Sequence, residues 1–392
     1  MTPSNPAFAL IVFLIAFLTA YLIKAKYSIN YSSGRYECID GLRGFLALSV
    51  FIHHSNIWYT FLQTGVWDAP QSNLYNQFGQ TSVSLFFMIT SFLFISKLLN
   101  TETKRFDWIY FFVSRMNRLV PMYYFSLYII IVIVMIISQW SINDELINYF
   151  TSIMHWSLFT IVQSPVINNS GFTHYINAGV VWSLPYEWLF YFSLPLVSIL
   201  LLRTFPPVKY IVLSVIFIAV FYNFHGIVRY PVYSFIGGAI APFLLKFTSL
   251  NKYVKGIYGS AIVIICLFLI GSFHTANDTL CILLIAVVFT TIALGNSMFG
   301  LLKNSTLKLL GEICYSTYLL HGIVLFILFY FGFGLDKIKL LSPLEYNLVI
   351  FLTTPVLVFV SFLGFRYIEK PFMDKSKKLT AKIKIKTRLN LS

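Results

Sequence analysis

The stretch Ile39-Asp40-Gly41-Leu42-Arg43-Gly44-Phe45-Leu46-Ala47-Leu48-Ser49-Val50-Phe51-Ile52-His53-His54 opens an apolar run, residues 41–62, of the length a bilayer requires. A hydrocarbon core of roughly 30 Å takes about 20 residues of α-helix. Arg43 and His54 stand eleven positions apart in this run. At about 100° per residue eleven steps make nearly three turns, so both side chains fall on one face, about 16 Å apart along the axis. Ionisable groups inside such a run are costly and tend to mark function. An arginine at one membrane surface, in phase with a histidine in the span, predicts a site reached from both sides.

The rest of the chain reads the same way. Of its 392 residues 58% are hydrophobic and 11% are charged, with a mean hydropathy of +0.78. A soluble domain carries roughly 25% charged residues. The expected fold is therefore an all-α polytopic membrane protein. Eleven apolar segments set its spans, at about 7–23, 41–62, 82–99, 119–138, 180–202, 209–224, 230–247, 256–273, 279–299, 310–332 and 346–368. A weaker patch at 150–162 suggests a re-entrant or interfacial helix within the long 139–179 connection. The net charge of +14 does not indicate nucleic acid, because the basic residues are scattered between apolar runs and massed at the C-terminus. Cys38, Cys266, Cys281 and Cys314 have neither metal-ligand nor disulfide-framework spacing and read as small packing residues.

No Lys or Arg precedes the first segment, whereas Lys24 and Lys26 follow it. That argues against a secretory signal and puts the N-terminus outside. Eleven alternations then put the C-terminus in the cytoplasm. The regions so assigned to the cytoplasm hold 25 of the 28 Lys and Arg residues, all but Arg229, Lys337 and Lys339. The tail beyond Pro371 could bind anionic lipid at about 1 kcal/mol per basic residue; a solvated topogenic tail is the simpler expectation. There is no soluble domain, no low-complexity linker and no clear internal repeat, and the last point counts against the common transporter folds.

Five clusters carry chemistry. In the first, His54 lies near the expected midplane, Asp40 can pair with Arg43, and His53 points to a packing or helix–helix hydrogen-bonding role. The second is Arg115-Met116-Asn117-Arg118-Leu119-Val120-Pro121, where Arg115 and Arg118 share a helix face. Planar guanidinium forks bind phosphate bidentately, although topogenic charge explains these arginines equally well. The third is Trp182-Ser183-Leu184-Pro185-Tyr186-Glu187-Trp188. Glu187 is the only acid in its span and needs a partner, a proton or water, and Pro185 is expected to free a carbonyl nearby. The fourth runs from Gly311 through Tyr315, Ser316 and Tyr318 to His321. Tyr318 sits one turn before His321 and could hydrogen-bond within the same site. Depth alone would let His54, Glu187 and His321 converge. The fifth, Arg366-Tyr367-Ile368-Glu369-Lys370-Pro371, reads as an ion-paired helix terminus.

In this order the motifs resemble the membrane acyltransferase-3 family, bacterial O-acyltransferases of surface sugars, from about Ile39 to Phe372. The family's Arg-x10-His signature corresponds to Arg43 and His54. Its phenylalanine-rich second helix resembles Leu85-Phe86-Phe87 and Phe92-Leu93. Its Arg-x-x-Arg…Pro segment fits Arg115, Arg118 and Pro121; its Trp-Ser-Leu-x-x-Glu segment fits Trp182, Ser183, Leu184 and Glu187; its Tyr-Ser-x-Tyr-Leu-x-His segment fits Tyr315, Ser316, Tyr318, Leu319 and His321. The chain departs from the family pattern at Thr90-Ser91, where Ser-Gly is usual, and at Ser84, where Asp is common.

The resemblance implies a ten-helix core over residues 36–373, an additional N-terminal helix with its linker over 1–35, and a basic tail over 374–392. It implies acetyl-CoA or another acyl-CoA as cytoplasmic donor, no metal, and an acceptor hydroxyl on a cell-envelope glycan or lipid-linked sugar, such as O-antigen, capsule or peptidoglycan. The expected setting is the bacterial inner membrane, with membrane lipid as the other partner. No extracellular esterase-like domain is expected, so transfer is completed in the membrane or the acyl group is passed to a separate partner. His54 would act as general base or as an acyl-carrying nucleophile, since imidazole ordinarily titrates at about pH 6.5. Arg43 would hold the pantetheine arm or steady developing charge, Glu187 or His321 would orient the imidazole, and Arg115 and Arg118 would bind the CoA phosphates. A transporter or flippase for a lipid-linked sugar or acyl donor is the rival expectation, because charged and proline-bearing spans suit a transport path as well.

Overall fold

In the computed structural model, residues 2–27, 36–101, 106–202, 205–226, 228–245, 247 and 253–389 are described. Each of the eleven apolar segments coincides with a helix. They are α1 (Pro6–Lys26), α2 (Glu37–Thr64), α3 (Asn73–Leu99), α4 (Trp108–Ile137), then, after the short α5 (Leu146–Ser157), α6 (Leu184–Leu202), α7 (Val208–His225), α8 (Arg229–Leu244), α9 (Ile257–Ile270) and α10 (Thr279–Ala293). A short α11 (Ser305–Glu312) leads into α12 (Cys314–Phe326), followed by α13 (Pro343–Gly364) and α14 (Lys370–Leu389). There is no strand among the described residues. Among the described residues seven helices are long and apolar enough to cross a membrane, and the shorter α9 and α10 are apolar too. The polar residues that make α2 interesting keep it outside those seven, although its 28 residues reach about 42 Å.

Local chemistry sets the helix ends. Asn5 caps α1, its Oδ1 accepting from Ala7 N at 2.9 Å, with Pro6 at the first helical position. Asp107 caps α4 through Tyr110 N at 3.1 Å. Ser342 and Glu345 form a reciprocal capping box before α13.

Packing follows membrane logic, with small residues inward and large aliphatic ones outward. On α1, Ala9, Val12, Ala16, Ala20 and Ile23 are buried while Leu10, Leu14, Leu18 and Leu22 are exposed. The buried face packs with Leu307 and Leu310 of α11 and Val358 and Phe362 of α13. Lys24 Nζ donates to Ser305 Oγ at 2.5 Å. Helix α1 is thus built into the bundle. Helix α11 lies on α2 so closely that a Cβ at Gly311 would fall 1.8 Å from Asp40 O. Helix α3 is central, with 72% of its apolar window buried, against 17% for the peripheral α7.

Two further regions complete the fold, the first as an interfacial helix of the kind the sequence suggests and the second departing from expectation. The patch at 150–162 belongs to α5, which is too short to span. It buries Tyr149, Ser152 and Trp156 and turns Leu146, Ile147, Phe150 and Met154 outward, the geometry of an interfacial helix. The basic tail is no loose appendage. Helix α13 runs through a π-helical turn, Phe365–Glu369, directly into α14. There Ser376 and Thr380 are buried, Asn117 Nδ2 donates to Ser376 Oγ at 3.1 Å, and Lys384 reaches Asp107 at 2.5 Å.

Candidate active site

Two histidines from different helices meet. His321 Nε2 of α12 lies 3.0 Å from His54 Nδ1 of α2. Each ring also addresses the carbonyl one turn earlier in its own helix, His54 Nδ1 at 3.0 Å from Val50 O and His321 Nδ1 at 3.1 Å from Thr317 O. A carbonyl only accepts, so with both rings neutral Nδ1–H is the donor in each; this assigns the tautomers from the network. His54 Nδ1–H is then shared between Val50 O and the lone pair of His321 Nε2. In this tautomer the remaining nitrogen, His54 Nε2, carries the ring's lone pair, and the Ala178 backbone stands within hydrogen-bonding reach of the ring. His53 donates its own Nδ1–H to Tyr75 O at 2.7 Å, the helix–helix bond anticipated for it. His321 is fully buried behind His54. The long 158–183 connection closes over the pair: a Cβ at Gly322 would lie 2.3 Å from the carbonyl carbon of Asn177.

Helix α2 contributes to two cavities. His54 lines one of about 310 Å³ with His53, Gln80, Trp182, Tyr230 and Asn277 among its walls. Arg43 lines the other, of about 340 Å³, together with Arg115, Arg118, Glu187, Tyr191 and Cys314. The helical phase of Arg43 and His54 thus serves two chambers rather than one. Val83 and Tyr318 wall both chambers, and among the described residues no others do.

In the arginine cavity the three cations differ. Arg43 approaches Asp40 loosely, at 3.9 Å, and hydrogen-bonds to Cys314 in the same cavity. Arg115 lies over the Phe94 ring at 4.9 Å, and its Nε has no protein partner. Arg118 is committed, forming an ion pair at 3.0 Å with Glu369, which is fully buried. The other Glu369 oxygen accepts from Ser316. The fifth cluster is therefore ion-paired as expected, but within a continuous helix and to a distant arginine. Arg115 and Arg118 line one cavity without forming an equivalent pair.

Glu187 does not reach the histidines. Its carboxylate accepts from Tyr191, one turn on in the same helix, and faces the arginine cavity. Pro185 sits in the first turn of α6, where no helix bond is lost, so it frees no carbonyl in mid-span. Tyr318 does not bond to His321; its hydroxyl lies 2.8 Å from Ser183 Oγ and donates to Val180 O at 2.8 Å. Ser84, at the departure from the family pattern, donates to Tyr230 OH at 2.7 Å. Gln80 was missed by sequence reasoning, since a glutamine near a helix start has no distinctive signal. Its Oε1 accepts from Thr275 Oγ1 and Ala276 N, each at 2.8 Å, which leaves its amide N–H groups to the histidine cavity.

A helical membrane protein with a cation-lined chamber backing onto a chamber with an available imidazole has the layout of a membrane-embedded group-transfer site. Residues 36–366 match the family described as an acyltransferase domain, and the chain belongs to that family. It is 25% identical over 398 residues to O-acetyltransferase OatA of Staphylococcus aureus strain NCTC 8325 / PS 47, covering 92% of this chain and 60% of that protein. The OatA proteins of strains COL and MRSA252 give the same figures. The chain thus spans about three fifths of the length of these curated relatives. No solved structure matches it significantly.

Proposed function

We propose that this chain transfers an acyl group, acetyl in the simplest case, from acyl-CoA to a hydroxyl of a cell-envelope glycan. The observation that carries this reading is the His54–His321 hydrogen bond, which leaves the Nε2 lone pair on a histidine that lines a chamber backing onto an arginine-lined one. CoA is a polyanion, and Arg43 and Arg115, neither of them in a close ion pair, offer guanidinium forks for its phosphates. By the distribution of basic residues the arginine end faces the cytoplasm of a bacterial inner membrane and the histidine end faces out. Trp182, Gln80 and Asn277 suit a sugar, with an indole face for the ring and amides for its hydroxyls.

As general base, His54 Nε2 takes the proton of the acceptor hydroxyl while that oxygen attacks the thioester carbonyl. The C–S bond breaks and the thiolate takes the proton back from the imidazolium. As relay, Nε2 attacks the carbonyl itself and CoA thiolate leaves; the acceptor oxygen then displaces the imidazole to give the ester, and the hydroxyl proton neutralises the thiolate. In both routes His321 holds the ring so that Nε2, not Nδ1, faces the reaction, as the third member of a catalytic triad does.

The test uses the purified protein in nanodiscs with acetyl-CoA, with and without acceptor glycan, and follows free thiol. Thiol release that rises with acceptor supports the reading. Movement of a lipid-linked sugar or acyl donor with no thioester cleavage supports the transporter instead.

A further inference from the structure

We propose that Tyr318 is a specificity-determining residue that withholds the thioester from water until the acceptor has bound. This rests on the acyl-transfer reading above. Tyr318 and Val83 are the only described residues common to both chambers, so the acyl group's way to His54 runs between them. The phenol is not free to swing. It is pinned by Ser183 Oγ and Val180 O, which belong to a single turn of 3₁₀ helix, Val180–Ser183. The Phe86 ring stands edge-on to it, 6.3 Å away, from the arginine chamber.

The same turn carries Trp182, which is 44% exposed and walls the histidine chamber. One turn therefore presents an indole where the acceptor binds and, through Val180 and Ser183, fastens the ring that closes the passage. A sugar stacked on Trp182 acts on the anchors of Tyr318, whereas water makes no such contact. Excluding water is what prevents hydrolysis of a reactive acyl group. Hydrolysis here would be attack of water oxygen on the thioester carbonyl, cleavage of C–S and proton transfer to the thiolate, giving free acid and CoA.

Four variants test this: Tyr318→Ala, Tyr318→Phe, Ser183→Ala and Val83→Phe. Acceptor-free acetyl-CoA hydrolysis is expected to rise at least about tenfold in Tyr318→Ala, by about 1.4 kcal/mol of barrier, and less in Tyr318→Phe and Ser183→Ala, which keep the ring but lose anchors. Val83→Phe narrows the passage from the other side and should lose transfer while CoA still binds. A readout independent of turnover is Cys314, which lines the arginine chamber. In sealed vesicles a small charged methanethiosulfonate added from the histidine side should spare Cys314 in the wild type and modify it in Tyr318→Ala. If Tyr318→Ala does not fold, Ser183→Ala and Val83→Phe decide. Wild-type hydrolysis rates in both ring and anchor variants, with Cys314 still protected, would overturn the proposal. A wild type that never cleaves thioester overturns the acyl-transfer reading instead, and the Cys314 labelling then still judges the partition.

Discussion

His321 Nε2 stands 3.0 Å from His54 Nδ1 across 267 positions of sequence, and each ring is tethered to its own helix by the carbonyl four residues before it. The pair fixes both the tautomer and the aim of His54. His321→Ala should therefore lower kcat by about 10²–10³-fold, the scale on which positioned acid–base groups act, with little change in CoA affinity. His321→Gln, whose carbonyl can accept from His54 Nδ1–H, should recover part of the loss. Equal kcat in the Ala and Gln variants would show that His321 fills space and nothing more.

Arg115 and Arg118, although one turn apart, carry different loads. Arg115→Ala removes a guanidinium with an unpartnered Nε. Donor binding should weaken by about 1.5–3 kcal/mol, the range for hydrogen bonds to charged groups, with a smaller loss of thermal stability from its contacts with Phe94 and Tyr191. Isothermal titration with CoA measures this, and unchanged affinity would remove the phosphate site from the account.

Arg118 and Glu369 form a buried pair, and breaking such a pair from one side leaves an uncompensated charge. Glu369→Ala should cost about 3–5 kcal/mol, seen as a lower melting temperature in detergent. Arg118→Met combined with Glu369→Met should melt higher than Glu369→Ala alone. If the single variant melts like wild type, the pair does not hold α13 and α14 to α4.

Trp182 is a large aromatic surface open to the histidine chamber. Trp182→Ala should raise the acceptor KM about tenfold, or about 1.4 kcal/mol, and leave CoA affinity unchanged. A loss of CoA affinity in place of acceptor affinity would put the acceptor elsewhere.

The helices and the one-face relation of Arg43 and His54 were legible because both depend only on local sequence: apolar length for the first, helical phase for the second. What pairs with what across helices was not. Depth put Glu187 and His321 at comparable levels, but azimuth is set by packing, and packing turned His321 to His54 and Glu187 to Tyr191 and the arginines. Tyr318, one turn from His321, was expected to bond within its site; the fold of the 158–183 connection instead brought Val180 and Ser183 to its hydroxyl. The docking of α14 was hidden by its lysines, because the residues that bury against α4 are the unremarked Ser376 and Thr380.

The most direct test of the central claim is His54→Ala, expressed at wild-type membrane levels, with acyl groups on envelope polysaccharide measured by mass spectrometry. Loss of glycan acylation with CoA binding intact is the predicted result. Acylation at the wild-type level would contradict it.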